Sequence, residues 1–112
     1  MTNKEKCIVA MLAYAFIDTS TQNGIDTLRD MLKSLLITFN EFKDFIDKLP
    51  SNENTRFLLY GDIRKLSSDD KTIACNIIAN AYLKGGKAGT DYAVFYFKEI
   101  INNCNLATVV HI

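Results

Sequence analysis

Apolar residues recur at helical spacing along nearly the whole chain, and sustained strand-like alternation is absent. Residues 4–18 carry apolar side chains all round, as a helix enclosed by its neighbours does. The polar stretch DTSTQNG (18–24) then reads as a turn. Residues 25–38 predict a second helix, with Ile25, Leu28, Met31, Leu32, Leu35, Leu36 and Phe39 on one stripe. Asn40 is placed to cap a short helix holding Phe42, Phe45, Ile46 and Leu49, which Pro50 ends. Ser51 precedes a further helix through about Leu66, with Phe57, Leu58 and Ile63 inward.

The stretch SSDD (67–70) marks another helix start. Ser67 with Asp70 three residues on resembles a capping box, and the acids suit the positive helix end. Behind it, Ile73, Ala74, Ile77, Ile78, Ala81 and Tyr82 recur at helical spacing. Lys84 opposes the negative end, and Gly85 or Gly86 supplies the left-handed stop. Thr90 caps a final helix running to about Asn103, with Asp91 in its first turn. The β-branched, apolar tail NLATVVHI is expected to lie across the rest. The expected fold is all-α, a single bundle of five to six helices in one domain over residues 1–112.

An internal repeat appears at an offset of 66 residues. IVAMLAYAFID (8–18) lies over ACNIIANAYLK (74–84), with Met11 over Ile77, Ala15 over Ala81 and Phe16 over Tyr82. The following helices match at Leu28 and Val94, Met31 and Phe97, and Leu35 and Ile101. Each half is then a small-residue helix, a short turn and a second amphipathic helix. Alanines at matching places predict close helix crossings between the halves.

Composition narrows the function classes. Apolar residues make up 48% of 112, enough to build a core, which excludes a disordered chain. Thirteen basic residues balance thirteen acidic ones, with no basic face beyond Arg64-Lys65 and Lys84/Lys87. That argues against nucleic-acid or electrostatic membrane binding. The eleven-residue apolar run Cys7–Ile17 imitates a secretory signal, but Glu5 dilutes its basic flank and Ala13-x-Ala15 falls inside the run. As a helix it spans only ~16 Å, short of a ~30 Å hydrocarbon layer, so no transmembrane segment is expected. Cys7, Cys75 and Cys104 are widely spaced, which argues against a disulfide framework or a zinc site. Cys7 and Cys75 read as packed thiols, and a reducing, cytoplasmic setting follows.

Candidate chemistry is thin. In AYLKGGKAGTDYAVFYF (81–97), Gly86-Lys87 is followed by Ala88, so the hydroxyl of a phosphate loop is missing. Counted from Asp18 as a calcium loop, the glycine falls at position 7 and Arg29 stands where a bidentate Glu is needed. His111 has no partner pair, and Asp44/Asp47 and Asp69/Asp70 read as solvated faces and caps. Calcium, zinc and ATP are therefore not expected as cofactors, and no enzyme activity is expected.

The repeat plan resembles the tellurite-resistance TerB-like family and the related N-terminal domain of membrane-anchored DnaJ-like co-chaperones, over most of the chain. In that family the helices typically end A…A…DG, with an acidic residue seven places after the Asp, and such acidic loops are associated with metal binding. Here the first copy keeps Asp18 but has Thr19 for the Gly and Ile25 for the acid. The second keeps Gly85 and Asp91, but Lys84 replaces the Asp. Neither set is complete, so metal binding is not carried over. The resemblance implies an all-helical bundle and a bacterial stress-response or accessory role.

The expected function is a non-enzymatic interaction module. The alternative is a degenerate metal- or small-ligand-binding domain using the turns at 18–26 and 84–91. The last helix is either central and enclosed, with the tail TVVHI folded over its outer side, or it carries whatever partner surface exists. Val94, Phe95, Tyr96 and Phe97 are consecutive and sweep ~300° of a helix, more than one core stripe covers. Tyr92, Phe95 and Tyr96 are the candidates for an exposed patch, with a homodimer as its expected use.

Overall fold

The computed structural model describes residues 1–49 and 61–103, apart from the side chains of Tyr92, Tyr96, Ile100, Ile101 and Asn103. Among these residues the secondary structure is helical, with no strand. In chain order the helices are α1 (Asn3–Tyr14), α2 (Gln22–Leu35), α3 (Phe39–Asp47), α4 (Ser68–Lys84) and α5 (Asp91–Asn103). Residues 61–64 are also helical, and Ile63 there is buried. Pro50, Phe57, Leu58, Cys104, His111 and the tail NLATVVHI lie outside the described residues.

Side-chain caps decide where the helices begin. At α1, Thr2 and Glu5 form a reciprocal box: the Glu5 amide donates to Thr2 Oγ1 at 3.1 Å, and the Thr2 amide to Glu5 Oε1 at 2.8 Å. The start of α3 repeats this with Thr38 and Glu41, both bonds at 3.1 Å. The cap is therefore Thr38, and the expected Asn40 already lies inside the helix, because only Thr38 has a glutamate three residues on. The turn read at 18–24 ends earlier, since Thr21 Oγ1 accepts from the Gly24 amide and α2 starts at Gln22. Ser67 and Thr90 cap α4 and α5 as expected, accepting from the Asp70 and Ala93 amides.

α2 stops at Leu35, and this corrects the long apolar stripe. Leu36 takes a left-handed conformation (φ 57°), and its amide and that of Ile37 both bond the Leu32 carbonyl. Beyond that break the helical stripe no longer applies. Met31, Leu32 and Leu35 are buried, whereas Leu36 is 81% exposed and Phe39 56%. Ile37 turns back into the core instead. On α4, Ala74, Ile78 and Ala81 are buried as expected, but Ile73 is nearly half exposed.

α1 packs against α4, α3 and α2, and α4 packs against α2 and α5, which puts α1 and α4 at the centre. Ala10 and Ala13 on α1 and Ala74 and Ala81 on α4 are almost fully buried, as small residues between tightly packed helices are. An aromatic triangle closes one end of the core. The rings of Phe16, Tyr82 and Phe97 lie 5.2–5.4 Å apart, centre to centre. The radius of gyration, 12.8 Å, is that of one packed unit of this length, about 13 Å. No helix among the described residues is long and apolar enough to cross a membrane.

The cysteines differ from expectation. Cys7 is a free, buried thiol, and burial pushes its pKa up. Cys75 is also buried but is disulfide-bonded, its partner lying outside the described residues. Sequence spacing says nothing about which cysteines meet once helices pack, and this is why the bond was not expected. Disulfides persist in oxidising surroundings, so the cysteines no longer argue for a reducing compartment.

Candidate functional site

The turns after α1 and α4 lie against each other. Ile17 and Gly86 form an isolated antiparallel bridge. The Asp18 amide donates to the Gly85 carbonyl at 2.7 Å, and the Lys87 amide to the Phe16 carbonyl at 3.3 Å. The carbonyl of Lys84, an orphan acceptor at the end of α4, receives Asn23 Nδ2 at 2.7 Å and Thr27 Oγ1 at 3.4 Å. Thr27 Oγ1 lies 2.8 Å from the Asn23 carbonyl as well. Close approach explains the glycines. A Cβ at Gly24 would sit 1.7 Å from the Asp18 carbonyl oxygen, and one at Gly85 2.1 Å from that of Phe16. Gly86 is the left-handed residue (φ 77°).

Asp18 is engaged within its own turn. Its Oδ1 accepts from Ser20 Oγ at 2.6 Å and from the Ser20 amide at 3.0 Å. The Ser20 hydroxyl, then the Ser20 amide, hold its carboxyl below the ordinary range, with Lys87 adding a smaller push the same way. This is an Asx-type turn that aims the chain into α2. Among the described residues, no group of three His, Cys, Asp or Glu side chains is gathered closely enough to hold a metal ion.

The expected partner surface on α5 is divided. Phe97 and Ala93 are buried, Val94 is half-buried, and Phe95 is 55% exposed. The side chains of Tyr92 and Tyr96 lie outside the described residues.

A groove of about 210 Å³ runs between α2 and α4, beside the turn junction. Thr27 stands at the end where Lys84 is capped. Met31, Ile77 and Ala81 form an apolar floor, while Asp30, Ser34, Asn76 and Asn80 stand exposed along it. None of those four polar side chains has a hydrogen bond or ion pair among the described residues. No buried side-chain nitrogen or oxygen there lacks a partner, so the groove's vacant polar groups are surface groups facing water. Ile73, one turn before Ile77 on α4, carries the apolar line onward.

The sequence reading missed this groove, because a cleft between helices depends on which faces pair. One signal was present: two asparagines four residues apart in an apolar helix stand on one face. No family model matches the chain, and neither a curated protein nor a solved structure matches it.

Proposed function

We propose that this chain is a non-catalytic interaction module, built from two helix-turn-helix halves in a bundle of TerB-like plan, that meets a protein partner along the α2/α4 groove. The observation that carries the reading is the contrast between its polar groups. The Asp18 carboxylate and the Lys84 carbonyl, the acceptors at the turns, are already bonded by Ser20 and Asn23, whereas Asp30, Ser34, Asn76 and Asn80 line an apolar-floored groove without partners among the described residues. Contact between the equivalent rings of Phe16 and Tyr82, and between the equivalent turns, supports the duplicated plan. A volume of about 210 Å³ falls below the ~300–1,000 Å³ of sites that enclose small molecules. An accessory role in a bacterial stress response belongs to the same reading through the TerB-like plan.

The alternative, a ligand site in the turns at 18–26 and 84–91, has less support, because Ser20 already holds one oxygen of the Asp18 carboxylate and no acidic cluster gathers around it among the described residues. Self-association through α5 keeps one supporting observation, the half-exposed Phe95. Capture from the native host with three baits tests the proposal. Wild-type protein and Asp18→Ala should retain the same partner, and Ile77→Arg should lose it while keeping its helical spectrum. A partner lost with Asp18→Ala and kept with Ile77→Arg would move the site to the turns.

A further inference from the structure

We propose that the groove receives a peptide in extended conformation, with a basic residue placed beside an apolar one. This rests on the groove being the contact surface. Asn76 and Asn80 are four residues apart, so they recur ~6 Å along the axis of α4. Main-chain groups on one side of an extended segment recur every ~6.6–6.8 Å. A carboxamide carries the same donor and acceptor as a peptide unit. Two of them at this spacing match two main-chain units of one strand to within ~1 Å. A bound helix, whose main-chain groups bond internally, offers them nothing comparable.

The floor sets the side chain between those two units. Met31, Ile77 and Ala81 are apolar and line a space of about 210 Å³. That room suits one aliphatic or aromatic side chain, with Met31 able to adjust to its shape. Charge selects the neighbour. Asp30 is the only charged residue lining the groove and has no ion pair among the described residues, whereas nearby Asp26 is paired with Arg29 at 3.6 Å. A lysine or arginine next to the inserted side chain meets that carboxylate.

Selection from a displayed library of unstructured eight-residue peptides tests the inference, with Asn76→Ala/Asn80→Ala as the counter-selected protein. Both asparagines are exposed, so the double variant is expected to melt with the wild type. Selected peptides should carry Lys or Arg beside Leu, Ile, Val, Met or Phe. Losing two main-chain hydrogen-bond pairs should weaken them about thirtyfold or more on the double variant. Asp30→Asn should remove the preference for the basic residue and leave the apolar one. Enrichment no greater than on the double variant, or enrichment without a basic residue, overturns the proposal. If no peptide binds and Ile77→Arg still loses the host partner, the groove takes a folded surface; the interaction reading then stands and the peptide falls.

Discussion

Leu36 holds a conformation that its own chemistry disfavours. An L-residue in the left-handed region is about 1–2 kcal/mol less stable than in the right-handed one, and this leucine gains little from burial at 81% exposure. Glycine removes that strain but adds chain entropy to the unfolded state, so Leu36→Gly should stabilise by roughly 0.5–1 kcal/mol in urea unfolding. The opposite holds at Gly24 and Gly85, where a Cβ meets backbone carbonyl oxygens that cannot move alone. Either glycine changed to alanine should destabilise by about 2 kcal/mol or more on the same assay. Two surface carboxyls add a pH dependence. Bonds from the Thr2 amide and hydroxyl hold Glu5 below the ordinary range, and bonds from Ser20 do so for Asp18. A carboxyl depressed in the folded state stabilises it above the unfolded pKa, and that contribution is lost as pH falls through the folded value. Melting temperature should therefore hold down to about pH 5 and drop below about pH 4. The Glu5→Ala/Asp18→Ala variant should start lower at neutral pH and show a shallower acid limb.

At the scale of elements, helices were legible wherever periodicity and a cap agreed. Ser67 with the acids behind it, Thr90, and the glycine stop after Lys84 all stand where the residues imply. Boundaries failed where two signals competed. Asn40 looked like a cap, but Thr38 with Glu41 satisfies two amides where a lone asparagine satisfies one. The stripe through Leu36 and Phe39 assumed unbroken helix, and one left-handed residue rotated the rest outward. Removing the cap by Thr38→Ala should lower stability by about 1 kcal/mol, read as a shifted urea midpoint at unchanged slope. Disulfide pairing was beyond the sequence because it is a tertiary fact. Under denaturing, non-reducing conditions an alkylating reagent should label Cys7 and spare Cys75 until reductant is added.

For the whole molecule, the central feature is that the turns after α1 and α4 close on each other through backbone bonds, which ties the end of α1 to the end of α4. The sequence placed both turns and aligned them by the 66-residue offset, yet it could not show that they touch. Hidden for the same reason was the groove, which exists only once α2 lies against α4. Phe16 sits beneath the junction, against Tyr82, Phe97 and the backbone at Gly89. Native-state hydrogen exchange at the Asp18 amide tests this most directly. That amide belongs to a turn outside every helix, and it is the donor of the 2.7 Å bond to the Gly85 carbonyl. If the turns are joined, it should exchange orders of magnitude more slowly than an open loop amide, in step with the core amides of α1 and α4. Exchange at the open-loop rate, with α1 and α4 still protected, would mean that the turns stand apart and are available to a ligand after all.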